Sequence, residues 1–184
     1  SEDVHALTSA IHASVPVLPP LVSLDQEGGI VTRLWDDPAP DAPTLATLSL
    51  DEISSYAQQR AAFLASYGFD LNFAPVADVA FAPDSFMAGR TFGSDPELVA
   101  ERVVAYLDGV KSTPVLHCVK HFPGHGRVSV DSHQALPVLD VDVDTWAAAD
   151  ALPFAAAIAD GVPMVMLGHL VVPMWDDLPA SLSP

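Results

Sequence analysis

Residues 115–126 read VLHCVKHFPGHG, so a short apolar run passes directly into a polar segment that contains two glycines. Three further apolar stretches occur, at 20–24, at 71–73 together with 76–79, and at 163–167. All four are continuously apolar rather than alternating, which is typical of strands covered on both faces. The sequence therefore predicts four buried strands, and residues 115–119 form the third.

Segments with helical hydrophobic spacing or capping signals separate these runs. The predicted helices begin near Val4, at the capping box Ser49–Glu52 with an end at Gly68, at Ser94 or Asp95 with an end near Asp108, and at Asp144 with a break at Pro153. Because helices and strands alternate, right-handed crossovers and a parallel sheet are expected. The α/β pattern fits an incomplete barrel or a small doubly wound fold, and we expect one domain over residues 1–184.

Composition excludes several classes of protein. Seven Lys and Arg against 24 Asp and Glu give a formal net charge of −17, which would repel phosphate backbones, so no nucleic-acid partner is expected. The single cysteine, Cys118, excludes a disulfide framework and a cysteine-based zinc cluster. Apolar runs all fall well short of the roughly 20 residues that a spanning helix needs, so no membrane-spanning segment is expected.

Ionisable residues follow every one of the four runs. In parallel α/β folds, ligands bind beyond the carboxyl ends of the strands. The residues to inspect are Asp25 and Arg33 after the first run, Asp78 and Arg90 after the second, Lys120, His121, Asp131 and His133 after the third, and His169 after the fourth. Cations are scarce in this acidic chain, and their clustering here indicates charge-assisted binding of an oxygen-rich ligand.

Structural roles compete with functional ones at several positions. Asp25 could cap a turn, and Arg90 could form a structural ion pair. Other residues are assigned structural positions outright: His117 and Cys118 in the core of an apolar strand, Arg127 as a loop charge, and Arg60 and Arg102 on solvated helix faces.

The triplet Asp131-Ser132-His133 carries the most pointed chemistry. Residues i and i+2 of an extended segment project the same way, so the carboxylate can reach the imidazole. That contact fixes the imidazole tautomer and raises its basicity, which suits a proton shuttle near neutral pH. An alternative is a zinc site built from His121, His125 and His133 with Asp131.

Six motifs stand in order along nearly the whole chain: DQEGGIVTR (25–33), NFAPVADV (72–79), GRTFGSDPELVA (89–100), KHFPGHG (120–126), DSH (131–133) and PASLSP (179–184). Together they resemble glycoside hydrolase family 3, and in particular its bacterial β-N-acetylglucosaminidases. The resemblance implies a (β/α)₈ TIM-barrel catalytic domain that removes terminal β-linked N-acetylglucosamine with retention, from cell-wall or chitin-derived saccharides. It also implies a role in peptidoglycan recycling and a location in the bacterial cytoplasm, at the cell envelope or outside the cell.

The resemblance carries residue roles with it. It implies sugar-hydroxyl ligands at Asp25, Arg90, Lys120 and His121, with Arg33 as a further member of the set, an acid/base at His133 assisted by Asp131, and a position near the site for His169. No cofactor and no metal are expected. The expected partner is a small saccharide that ends in N-acetylglucosamine.

One departure from the family pattern stands out. The family nucleophile is an aspartate that follows the PASLS stretch, and no aspartate of this chain matches it. We therefore expect an incomplete barrel, without its first strand and its C-terminal units, that binds sugar weakly, does not turn it over and associates through exposed barrel faces. The alternatives are a β-glucosidase, xylosidase or phosphorylase of the same family, a non-catalytic sugar-binding fragment and a zinc-dependent hydrolase.

Overall fold

Helices and parallel strands alternate along the chain in the computed structural model, which describes residues 2–15, 17–81 and 83–184. The helices are α1 (Glu2–Ser14), α2 (Ala42–Leu45), α3 (Leu50–Ser66), α4 (Pro96–Val110), α5 (Val143–Ala148) and α6 (Leu152–Ala159). The strands are β1 (Ser23–Leu24), β2 (Leu71–Asn72), β3 (Leu116–Phe122), β4 (Met164–Leu167), β5 (Val171–Val172) and β6 (Asp176–Pro179). Over the described ranges, every helix is too short or too polar to cross a membrane.

The main sheet has the strand order β1-β2-β3-β4, and each neighbouring pair is parallel. Ser23 pairs with Leu71, Leu71 pairs with Leu116, and Cys118 pairs with Met164. A doubly wound sheet reverses its strand order at a switch point, whereas here each strand adds on the same side as the one before. This monotonic order is that of consecutive units of a (β/α) barrel, and the predicted parallel sheet is confirmed.

The second strand is shorter than predicted. β2 ends at Asn72, and residues 76–79 meet β3 through a bridge between Val76 and Lys120 and a hydrogen bond from Ala77 N to Lys120 O at 2.7 Å. Pro75, which has no N–H to donate, interrupts the ladder between the Asn72–His117 pair and the bridge at Val76. The segment nevertheless runs beside β3, and this brings Asp78 to the polar end of that strand.

Two of the three predicted capping signals are confirmed. The capping box of Ser49 and Glu52 is present at α3, and Asp95 caps α4. The assignment of Asp144 as the cap of α5 is wrong, since Asp142 accepts the hydrogen bond from Thr145 N at 2.9 Å. Asp142 has the extended backbone that a capping residue needs, whereas Asp144 lies in the first turn.

Helices α3 and α4 pack closely against each other. Their buried faces carry Ile53, Ala57, Ala61 and Leu64 on α3 and Val99, Val103, Tyr106 and Val110 on α4. A Cβ at Gly109 would lie 2.1 Å from the backbone oxygen of Ser54. The two helices therefore touch through their backbones at this point, and glycine is the residue that permits the contact.

Arg60 corrects the sequence interpretation. It is 1% exposed rather than solvated, and its Nε donates to Asp37 Oδ2 at 2.7 Å while its second terminal nitrogen donates to the carbonyls of Ala39 and Pro40. The proline-rich loop after β1 folds over α3 and offers these acceptors. Arg102 is also half-buried and donates to the carbonyl of Phe92.

The expectation that all four strands are covered on both faces holds in part. His117 and Cys118 of β3 are buried, as predicted, but Met164 and Leu167 of β4 are 37% and 46% exposed. β4 is an edge strand among the described residues, so its outer flank lacks the cover that a further unit gives to β3.

A second, antiparallel sheet of β5 and β6 follows β4. It has its own small core of Leu139, Leu170 and Val172. The sequence predicts no strands here, because each is too short to show a periodicity. The turn after β6 returns residues 180–183 toward the end of β4.

Candidate functional site

A cavity of about 460 Å³ opens at the carboxyl ends of β1, β3 and β4. Seven of the eight residues that the sequence analysis proposed for the site line this cavity: Asp25, Arg33, Arg90, Lys120, His121, His133 and His169. The eighth, Asp131, contacts His133. Residues far apart in the sequence thus meet at one end of the sheet, as the strand-end argument predicts.

A chain of ion pairs forms one wall of the cavity. Lys120 Nζ lies 2.6 Å from both Asp25 Oδ1 and Glu27 Oε1. The guanidinium of Arg90 donates to both oxygens of the same Glu27 carboxylate, from Nε at 2.9 Å and from a terminal nitrogen at 2.7 Å. Asp25, with its side chain 39% exposed, is the most accessible member. Two carboxylates and two cations therefore alternate within hydrogen-bond distance.

Glu27 is the member that the sequence analysis missed. Its side chain is only 5% exposed. Burial by itself raises the pKa of the Glu27 carboxyl, but the hydrogen bond from Arg90 and the charge of Lys120 outweigh it and hold that pKa below its ordinary value. The signal was an acidic residue two positions after Asp25 in the same strand-end segment. The sequence alone does not reveal which cations reach it.

His121 is oriented by a buried aspartate. Asp78 Oδ2 lies 2.7 Å from His121 Nδ1, and Asp78 Oδ1 accepts the backbone N–H groups of His121 and His125. Burial opposes ionisation of Asp78, but the charge of His121 and these hydrogen bonds hold its pKa below the ordinary value. An ionised carboxylate only accepts, so Nδ1 is the donor and Nε2 is left for a ligand. The Lys120–His121 peptide bond is cis.

The Asp131–His133 contact is formed as the sequence predicts. His133 Nδ1 lies 2.7 Å from Asp131 Oδ1, and the same oxygen accepts the backbone N–H of His133 at 2.9 Å. The backbone hydrogen bond and then the imidazole contact lower the pKa of Asp131. The His133 side chain is 83% exposed, so the imidazole lies at the open side of the cavity. Its partner, Asp131, is less exposed.

The loop that carries this pair is fixed at its start. A Cβ at Gly126 would lie 1.9 Å from the backbone oxygen of Val79, so the chain can pass there only as glycine. Arg127, interpreted from sequence as a loop charge, instead pairs with the buried Asp150 at 2.7 Å and lies 3.9 Å over the ring of Phe81. Arg127 lies in a loop, as predicted, but its partners come from distant segments and could not be predicted.

Arg33 and His169 occupy opposite borders of the cavity. Arg33 is exposed, and its backbone N–H donates to the side-chain oxygen of Gln26, whose amide also binds Leu34 and so holds the loop. His169 Nδ1 lies 2.7 Å from the hydroxyl of Ser181 in the PASLSP segment. The turn after β6 therefore contributes to the placement of His169.

The zinc alternative finds no support in this geometry. No three His, Cys, Asp or Glu side chains of the described residues are grouped so as to hold a metal ion. The Nδ1 atoms of His121 and His133 contact two different aspartates. Burial lowers the pKa of His125, whose ring nitrogens have no hydrogen-bond partner among the residues described.

The whole chain, residues 1–184, matches the family described as glycosyl hydrolase family 3, N-terminal domain. Together with the parallel sheet and the strand-end cavity, this match shows that the chain belongs to that family. The resemblance stated from the motifs is confirmed, and so is the barrel-type α/β fold.

Curated relatives carry the name β-hexosaminidase. LpqI of Mycobacterium tuberculosis is 40% identical over 172 residues, which are 90% of this chain and 44% of that protein. The β-hexosaminidase of Stenotrophomonas maltophilia is 35% identical over 192 residues, covering 100% of this chain and 57% of that protein. The chain thus spans about half the length of these relatives.

Solved structures give the same result. NagZ from Neisseria gonorrhoeae, in complex with N-trifluoroacetyl-D-glucosamine, superposes with a TM-score of 0.90 at 31% identity, over 97% of this chain and 55% of that one. A family 3 β-N-acetylglucosaminidase from Paenibacillus sp. gives a TM-score of 0.93 at 34% identity, over 97% and 36%. The chain is similar to these two structures over 97% of its length.

Proposed function

We propose that the protein to which these 184 residues belong is a retaining β-N-acetylglucosaminidase. It removes terminal β-linked N-acetylglucosamine from cell-wall or chitin-derived saccharides. The observation that carries the proposal is the joining of the ion-pair chain and the Asp131–His133 pair at one cavity. The β-hexosaminidase names of the relatives support it.

Asp25, Arg90, Lys120 and His121 are proposed to hold the hydroxyl groups of the sugar. Hydroxyls both donate and accept, so a carboxylate beside cationic donors gives the ring one orientation. Asp25 supplies the accessible acceptor, and Nε2 of His121 faces a ligand because Asp78 occupies Nδ1. Arg33 and His169 are proposed to contact the parts of the substrate nearer the cavity border.

His133 is proposed as the general acid and base, with Asp131 fixing its tautomer. A retaining glycosidase needs a proton donor at the leaving oxygen and a carboxylate nucleophile at the opposite side of the anomeric carbon. The carboxylates of Asp25, Glu27 and Asp78 contact cations or His121. The family resemblance implies that the nucleophile is an aspartate after the PASLS stretch, and it is therefore proposed to lie outside residues 1–184.

The complete gene product tests this proposal. It is expected to release 4-nitrophenol from the β-N-acetylglucosaminide, with the β-anomer as the first product by NMR. His133→Ala is expected to lower kcat by about 10²–10⁴-fold for a methyl aglycone, which needs protonation to leave, and by much less for 4-nitrophenol.

His5→Ala is the matched control, since His5 is exposed on α1 and lies outside the cavity. An equal loss of rate for both leaving groups in His133→Ala contradicts the acid/base role. Failure of the unsubstituted protein to hydrolyse either substrate contradicts the proposed activity itself.

A further inference from the structure

Glu27 has no role in the proposed function and does not line the cavity, yet it contacts two cations that do, Arg90 and Lys120. Its carboxylate accepts hydrogen bonds from two nitrogens of the Arg90 guanidinium and pairs with the ammonium of Lys120. Its side chain is 5% exposed, against 39% for Asp25. Any effect of Glu27 on a ligand in the cavity must therefore pass through its two cationic neighbours.

The hydrogen-bond donors of these cations are mostly committed. Arg90 gives Nε–H and one terminal N–H to Glu27, and Lys120 gives one Nζ–H to Asp25 and one to Glu27. An ammonium has three donors and a guanidinium has five. Arg90 gives a further terminal N–H to Met87 Sδ at 3.5 Å. One donor of Lys120 and two terminal donors of Arg90 are therefore left for a ligand, and the position of Glu27 sets their direction.

Charge is balanced over the same four side chains. Asp25 and Glu27 carry two negative charges, and Arg90 and Lys120 carry two positive charges, all within a few ångströms. Such a wall offers strong directional hydrogen bonds without a net charge. Without Glu27, one positive charge would be left at a buried position, which favours an anionic ligand.

We propose that Glu27 is a positioning residue that aims the free donors of Arg90 and Lys120 and cancels one of their charges, so that the position contacted by these cations takes an uncharged sugar ring in preference to an anionic one. This inference rests on the proposed function, because it assumes that the two cations meet a sugar. It adds to that function a reason for discrimination between neutral and acidic sugars.

Two substitutions in the complete gene product separate shape from charge. Glu27→Gln keeps the length of the side chain and removes its charge, whereas Glu27→Asp keeps the charge and withdraws the oxygens. The dissociation constants are measured by calorimetry for N-acetylglucosamine and for N-acetylglucosaminuronic acid, which carries a carboxylate at C6. The preference is the ratio of the acid's constant to that of the neutral sugar.

Glu27→Gln is expected to weaken binding of the neutral sugar by about tenfold or more, because a charge-assisted hydrogen bond is lost. The preference for the neutral sugar should fall, because the uncancelled cation now attracts the acid. Glu27→Asp is expected to weaken binding of both sugars and to leave the ratio of their dissociation constants unchanged. A Glu27→Gln variant that loses affinity for both sugars equally overturns the proposal, since a merely structural carboxylate predicts that result.

Asp160→Asn is the matched control. Asp160 also pairs with a lysine, Lys111, and its side chain is 17% exposed, but it lies outside the cavity. The control is expected to leave both dissociation constants unchanged. A control that shifts the preference as much as Glu27→Gln overturns the proposal, because removal of any paired carboxylate would then have the same effect.

A measurement without sugar keeps this test separate from that of the proposed function. The Arg90 Nε–H, assigned by its loss in Arg90→Lys, is expected to exchange with solvent slowly in the unsubstituted protein and about tenfold faster in Glu27→Gln. If the unsubstituted protein binds neither sugar, the proposed function fails, and this exchange rate still decides the positioning role. An unchanged rate in Glu27→Gln overturns it.

Discussion

Asp131 Oδ1 accepts two hydrogen bonds from the same residue, His133: one from the backbone N–H at 2.9 Å and one from Nδ1 at 2.7 Å. The backbone hydrogen bond fixes the position of the His133 backbone, and the side-chain hydrogen bond fixes the orientation of the imidazole ring. Because the backbone bond, followed by the imidazole contact, lowers the pKa of Asp131, the carboxylate is ionised throughout the neutral range. It can therefore stabilise a positive charge on the ring whenever His133 is protonated.

Replacement of this carboxylate by an amide tests that relationship. Asp131→Asn is expected to lower kcat for a methyl β-N-acetylglucosaminide by about 10²-fold, because an uncharged amide does not stabilise the imidazolium. KM should change little, since Asp131 does not line the cavity. Steady-state kinetics of the complete gene product measure both constants. The exposed Asp140 provides the control Asp140→Asn, and equal rates in the two variants would contradict the assisting role.

The buried Asp78 predicts a stability effect. Asp78→Asn replaces the buried carboxylate of the Asp78–His121 pair by an amide and weakens three hydrogen bonds to residues 121 and 125. Loss of hydrogen bonding to a charged group costs about 1.5–3 kcal/mol, and a fall of this size in the free energy of unfolding is expected by urea denaturation. A loss below about 1 kcal/mol would show that the pair is not effectively buried.

The same residue predicts a pH dependence. The pKa of Asp78 is lower in the folded protein than its ordinary value of 3.8, so its contribution to stability is complete above that value. The contribution is lost as the pH falls through the lower, folded-state pKa. Melting temperatures from about pH 7 down to about pH 3 should therefore fall more steeply in the unsubstituted protein than in Asp78→Asn. Parallel curves would contradict this assignment.

The backbone contact between Gly109 and Ser54 predicts an overpacking penalty. Gly109→Ala would place a methyl group 2.1 Å from Ser54 O and force α3 and α4 apart. We expect a net loss of about 1–3 kcal/mol in the free energy of unfolding, even though alanine favours a helix by about 1 kcal/mol. Gly89→Ala is the control, because the nearest atom there is 3.9 Å away. A Gly109→Ala variant as stable as the control would contradict the close packing.

The sequence predicts the main sheet because its signals are local. A continuous apolar run such as residues 115–119 predicts a buried strand, and a strand end predicts which polar residues share a face. The capping box at Ser49 works for the same reason, since both of its members lie within one turn. The small β5–β6 sheet escapes prediction because strands of two and four residues show no periodicity.

Pairings between distant charges could not be predicted. Helical spacing places Arg60 in the middle of α3 but says nothing of Asp37, which reaches it from a folded-over loop. The ion pairs of Glu27 cannot be predicted for the same reason, since Arg90 and Lys120 lie on other segments. The identity of the cavity residues is thus readable from strand ends, whereas the ion pairs among them depend on three-dimensional packing.

The ion-pair chain also constrains the order in which the protein can mature. Lys120 reaches Asp25 across 95 positions of the sequence, and Arg90 reaches Glu27 across 63. During synthesis, the two acidic residues therefore emerge from the ribosome long before the bases that neutralise them. A nascent chain that stops before Arg90 carries both acidic residues without their cations, and the ion-pair chain assembles only when β3 has left the exit tunnel and docked.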